Sequence, residues 1–149
     1  MSSASQQEFF AALRQHFAES VAHSRACGMQ IDSVEVGRAE ASLPYRRDWL
    51  GDPERGLIHT GIIATLVDSV CGLAALSAMT TSERVATLDL RIDYLRPALP
   101  ERALHARAEC YRLTRTIAFV RALAWQDSET EPCAASQASM MRIALRDPK

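Results

Sequence analysis

Lysine is almost missing from this chain: of its 17 basic residues, all but Lys149, the last residue, are arginine. Net charge is scarce too, −1 from 17 basic and 18 acidic side chains over 149 residues. Without a basic excess the chain lacks the electrostatic footprint of nucleic-acid binding. A ligand with a few phosphates stays open, because Arg forks suit phosphate. Cysteine is sparse and scattered: Cys27, Cys71, Cys110 and Cys133 form no CxxC pair. That excludes zinc spacing and a secreted disulfide scaffold, and suits buried free thiols in a reducing compartment. The opening MSSASQQEFF has no basic stretch followed by an apolar run, so the expected location is cytoplasmic. No internal repeat or low-complexity linker interrupts the chain, and 48% hydrophobic residues exclude global disorder.

What is present fits a single domain over 1–149, long enough to bury a proper core. Ser5 to Ser20 reads as an amphipathic helix, with Phe9, Phe10, Leu13 and Phe17 at helical spacing. After Gly28 come two short extended runs, Met29 to Val36 and Ala39 to Leu43, joined by a tight turn at Gly37-Arg38. Arg46 to Gly56 is charged and rich in turn residues, a long loop.

From His59 to Met79 the only formal charge is Asp68, set among Ile62, Ile63, Leu66, Val67, Val70, Leu73 and Leu76. A helix apolar nearly all round is buried in a core or a membrane. The mid-segment Asp68, the many small residues and the lack of a second apolar stretch argue for a core helix wrapped by sheet, with no membrane partner. Beyond residue 83 the pattern has period two: Ala86, Leu88, Leu90, Ile92 and Tyr94 against Thr87, Asp89, Arg91 and Asp93. Leu104 to Tyr111, Thr116 to Trp125 and Ala134 to Leu145 alternate likewise, separated by turns at Pro97–Arg102, Leu113–Arg115 and Gln126–Pro132. Such runs are antiparallel strands. The element order gives an α+β fold, a curved antiparallel β-sheet around a long central α-helix with an extra N-terminal helix.

Chemistry concentrates at two points of the central helix. Gly56-Leu57-Ile58-His59-Thr60-Gly61 leads into its start, where unpaired N–H groups, aided by the helix dipole, can donate to the oxygen of a polarised carbonyl. His59 either hydrogen-bonds a ligand there or caps the helix. Asp68 is a lone carboxylate in an apolar helix, costly unless paired with an Arg, turned to solvent, or functional as a base or acid. Nine residues at about 100° each put Asp68 half a turn around from His59, so the two share one site only if the ligand threads past the helix or, in a symmetric dimer, if each subunit offers one half. Trp49, Phe119 and Trp125 either line an apolar pocket or are plain core.

The Gly-x-x-His-x-Gly turn, the apolar helix and an acid nine residues after the His resemble the hotdog-fold acyl-CoA thioesterases, closest to the PaaI-type (phenylacetyl-CoA thioesterase-like) branch. The similarity runs from about Gly51 to the C-terminus and includes Leu88-Asp89-Leu90-Arg91-Ile92-Asp93-Tyr94-Leu95-Arg96-Pro97. The resemblance implies hydrolysis of an acyl-CoA to a carboxylic acid and free coenzyme A, with no cofactor, by a homodimer or homotetramer. It implies a backbone N–H of Gly61 or Thr60 on the thioester carbonyl, with His59 beside it. Asp68 would act as nucleophile or general base across the dimer interface, assisted by Thr87. Arg91, Arg96 and Arg115 are candidates for the coenzyme A phosphates. Two positions depart from the family: Thr60 stands where Gly is usual, and Asp52 and Pro53 stand where an Asn or Gln orients water. The other readings are an acyl-CoA-binding or catalytically degenerate hotdog protein and, further off, a hydratase or dehydratase.

Overall fold

The computed structural model describes residues 3–79 and 83–144. Its chain order is α1 (Ser3–Gln15), a π-helical turn (His16–Ser20), α2 (Ala22–Cys27), β1 (Gln30–Glu35) and β2 (Arg38–Leu43). A 3₁₀ turn (Arg47–Trp49), β3 (Leu50–Asp52), β4 (Leu57–Ile58) and α3 (Thr60–Ser77) follow. Then come β5 (Glu83–Tyr94), β6 (Leu104–Leu113), β7 (Ile117–Trp125) and β8 (Ala134–Ala144). Leu145, expected to end the last strand, and Lys149 lie outside the described residues.

Six strands form one antiparallel sheet in the order β1-β2-β6-β7-β8-β5, and β3 pairs with β4 in a separate small hairpin. Helix α3 packs across β6, β2, β7 and β5, which is the expected sheet around a central helix. The two sides of that packing divide the volume. The helix buries Ile63, Leu66, Val67, Val70 and Leu73, while the sheet meets it with Ala39, Ala41, Ala106, Ala108, Ala118, Ala122, Ala124, Ala134 and Ala138. Small side chains on the sheet let bulky ones on the helix interdigitate at native density. Removing one, as in Leu66→Ala, leaves a cavity costing about 2–5 kcal/mol.

That division corrects the expectation for β7. Its Ala and Val positions face α3, whereas Ile117, Phe119, Leu123 and Trp125 lie half-buried on the outer face. Phe119 packs at a tilt against Tyr111, and Trp125 stacks on His105. Neither Phe119 nor Trp125 therefore lines a pocket beside the helix or fills its core. Trp49 is buried, under the guanidinium of Arg46.

Three further differences have local causes. The N-terminal helix stops at Gln15 and continues as the wider π turn, and α2, too short to read from periodicity, follows it; Gly28 ends α2 in the left-handed conformation at φ 68°. The 46–56 loop is partly ordered into the 3₁₀ turn and β3. Of the cysteines, all free, Cys71 and Cys133 are buried, while Cys27 and Cys110 are only half-buried.

A last difference matters for the site. The β5–β8 register shifts between Thr87 and Asp89, so Leu88 is an extra residue in the ladder. Such a bulge reverses the alternation beyond it. Val85 and Thr87 therefore share the helix side with Leu90, Ile92 and Tyr94, and Leu88 is left 54% exposed. Arg142 fastens the start of β5 to β8 by a two-pronged pair with Glu83, at 2.9 and 2.6 Å.

Candidate active site

The small β3–β4 hairpin delivers the chain to the start of α3. His59 N–H donates to the Trp49 carbonyl at 2.8 Å, and Ile58 N–H to Ala98 at 3.0 Å. Gly51 on β3 lies against His59 so closely that a Cβ there would stand 2.9 Å from the His59 Cα. His59 is extended (φ −62°, ψ 130°) and caps the helix, its Nδ1 accepting the Gly61 N–H at 2.9 Å. Of the two roles open to His59, capping is the one present. A neutral ring that accepts at Nδ1 carries its proton on Nε2. A Cβ at Gly61 would sit 2.8 Å from that same Nδ1, so a larger residue there displaces the capping ring.

The cap separates the two candidate donors. The Gly61 N–H is engaged by His59, whereas the N–H of Thr60, the first and exposed helical residue, has no acceptor among the described residues. Its own carbonyl accepts the Tyr94 hydroxyl at 3.4 Å, tying the end of β5 to the helix start.

Asp68 lies farther along the same helix. It is half-buried, on a partly open stripe with Gly61, Thr65 and Ser69, rather than enclosed in an apolar core. No cation pairs with it among the described residues; Thr87 Oγ1 donates to its Oδ1 at 2.8 Å. Thr87 reaches the helix because the Leu88 bulge lies beyond it. Since His59 sits outside the helix, the half-turn angle expected between it and Asp68 does not apply: Gly61 and Asp68, seven residues apart, share a face. Distance does the separating, because eight residues from Thr60 to Asp68 are about 12 Å along the axis. One carbonyl cannot touch both within one chain. Nearby, burial pushes the Cys71 thiol up to about 12, so it offers no thiolate nucleophile at neutral pH.

The remaining candidates are dispersed. Asp52 closes its own turn, Oδ1 accepting the Arg55 N–H at 3.0 Å. Arg91, 72% exposed, pairs with Asp93 at 3.1 Å on the outer side of β5. Arg96 pairs with Glu131 at 3.5 Å near the helix start, and Arg115 is exposed in the β6–β7 turn at the opposite end of the sheet. A 440 Å³ groove on the outer face, lined by Arg107, Glu109, Arg121 and Glu129 among others, contains none of the candidate residues. Gly51 and Tyr94 escaped the sequence reading: a Gly in a turn-rich loop and a Tyr in an alternating strand carry no local mark of the contacts they make.

An antiparallel sheet wrapped around one central helix is the hotdog arrangement. The sequence profile of the thioesterase superfamily matches residues 55–133. A candidate esterase of Halobacterium salinarum is 30% identical over 122 residues, 80% of each chain. The medium/long-chain acyl-CoA thioesterase YigI of Escherichia coli is 32% identical over 92 residues, 53% of this chain and 59% of that protein. Among solved structures, a Pseudomonas aeruginosa protein matches with TM-score 0.79 and 34% identity, over 90% of this chain and 98% of that one. A thioesterase family protein of Silicibacter pomeroyi matches with TM-score 0.80 and 29% identity over the same shares. The chain belongs to the thioesterase superfamily and has the hotdog fold. It is an enzyme of the thioester hydrolase class.

Proposed function

We propose that the protein hydrolyses an acyl-CoA to a carboxylic acid and free coenzyme A in a site shared by two copies of the chain, without a cofactor, in the cytoplasm. The Thr60 N–H of one copy donates to the thioester carbonyl oxygen, and the Asp68 of the second copy takes a proton from a water that attacks the carbonyl carbon. The carbon–sulfur bond then breaks, and the coenzyme A thiolate leaves and is reprotonated. Thr87 holds Asp68 in place, His59 fixes the shape of the helix start through Gly61, and Arg96, beside that start, meets a phosphate. The pair, alone or doubled into a homotetramer, supplies what one chain separates by about 12 Å.

The observation that carries this reading is Asp68 itself: a half-open carboxylate that pairs with no cation among the described residues and accepts from the Thr87 hydroxyl. A folded protein gains nothing in stability from such a group in an otherwise apolar helix. The side chain at Thr60 and the turn-bound Asp52 favour the second reading, a protein that binds acyl-CoA without turnover. Free-thiol release from a panel of short, medium, long and aromatic acyl-CoA esters separates the two. Asp68→Asn is expected to lower the release rate at least ~100-fold with an unchanged melting temperature. Tight binding with no release from any ester would replace hydrolysis by the binding reading.

A further inference from the structure

Resting on the thioesterase reading, we infer that Phe17, from the π-helical turn, is the wall that ends the acyl channel and so sets the length of chain the site accepts. Gly72 lies four residues after Asp68, one helical turn or about 6 Å along the same face of α3. On the facing strand, Val85 lies two residues before Thr87 and on the same side. The Asp68–Thr87 pair is thus followed, one step toward the C-terminus of the helix, by Gly72 and Val85. A methyl group built on Gly72 would meet the Val85 Cγ2 at 3.8 Å and the Phe17 Cζ at 3.9 Å. The phenyl ring stands across the stripe that begins at the reacting carboxylate.

Chemistry changes along the stripe at this step. From Thr60 to Ser69 it carries Thr60, Thr65, Asp68 and Ser69, with Thr87 opposite; beyond lie Gly72 and Leu76, with Val85 and Phe17. Along α3, an acyl tail whose carbonyl carbon is at Asp68 leaves polar side chains only in the second direction; along β5, Leu90 and Ile92 are apolar in the first direction as well. The wall is carried by a segment with no buried residue, and Phe17 is itself half-buried, packed against the core. A π turn in a helical segment is a common device for re-aiming one side chain at a functional position.

The test is the ratio of kcat/KM for hexadecanoyl-CoA over butanoyl-CoA. Phe17→Ala is expected to raise it at least ~10-fold and Phe17→Trp to lower it, as removing or adding several carbons in a pocket does. Gly72→Ala, whose methyl meets its neighbours at ordinary contact, lowers the ratio even if the Phe17 variants do not fold. Ile92→Ala, in the other apolar direction along β5, leaves it unchanged. A ratio unmoved by folded Phe17→Ala or by Gly72→Ala, or one that follows Ile92, overturns the wall. In parallel, alkyl thioethers of coenzyme A from butyl to hexadecyl are titrated into the Asp68→Asn protein and its double variants with Phe17. Binding whose length limit moves with Phe17, without turnover in the parent, keeps the wall and removes the hydrolase reading. Turnover with a length profile indifferent to Phe17 and Gly72 does the reverse. Neither binding nor turnover of any chain length overturns both.

Discussion

The two edges of the sheet are built in opposite ways. At one edge β1 has six residues, a register break between Ile31 and Ser33, and a cover: the Arg14 guanidinium of α1 donates to the Ile31 and Asp32 carbonyls, both at 3.2 Å. At the other, β5 runs twelve residues and is paired on one side only, to β8. Short, bulged and covered edges are how proteins avoid unwanted strand pairing. The first edge uses all three devices; the second is long and has a bulge, and that bulge serves to turn Thr87 toward Asp68. The edge left open is also the edge beside the candidate catalytic carboxylate. The difference teaches that the chain covers the edge far from the candidate site and leaves uncovered the edge beside the carboxylate proposed to work with a second copy.

The largest expected effect falls on the open side. Thr60→Pro removes the N–H proposed to hold the thioester oxygen, at the one helical position where proline is tolerated. The residue before it is already extended, as a following proline requires. We expect a loss of roughly 100- to 1,000-fold in kcat with the helix intact by circular dichroism. Full turnover in this variant would move the oxygen site away from the helix start.

Next in size is complementation. Thr60→Pro and Asp68→Asn proteins, each nearly inactive, are mixed and allowed to exchange subunits. If the helix start of one copy works with the carboxylate of another, half of the dimers are mixed and each has one intact site. About a quarter of wild-type activity should then return. Recovery is read as thiol release against mixing time, and a mixture no better than its parents would return the whole site to one chain.

What the sequence disclosed of the molecule follows a physical line. Period and length told helix from strand, so α3 and the four long strands were legible, and the lone Asp68 stood out against its neighbours. Which side of β7 faces inward was not legible. Hydrophobic size points to Phe119 and Trp125, but a helix bearing Leu, Ile and Val needs a floor of alanine beneath it. The Leu88 bulge was hidden as well, since an extra residue leaves each half of the strand alternating and changes only their relation. His59 was recognised as important, yet its Nδ1–Gly61 bond, which assigns the free N–H to Thr60, depends on Gly51 letting β3 come close. Contacts between distant segments decide such points, and local pattern does not carry them.

The smallest expected effect is on the closed edge, and it sharpens the comparison by what it leaves alone. Arg14→Ala removes both bonds to β1 while touching nothing near Thr60 or Asp68. The bonds are exposed, so the stability loss should be about 1 kcal/mol or less, a melting shift of a few degrees at most. Thiol release per subunit should be unchanged. The informative quantity is association: with its cover gone, β1 offers free carbonyls to other chains, and light scattering should show a slow, concentration-dependent growth absent from the wild type. Loss of activity in this variant would mean that α1 braces the site as well as the edge. An unchanged scattering record would mean that the shortness and bulge of β1 protect it without the arginine, leaving the length of β5 as the whole difference between the two edges.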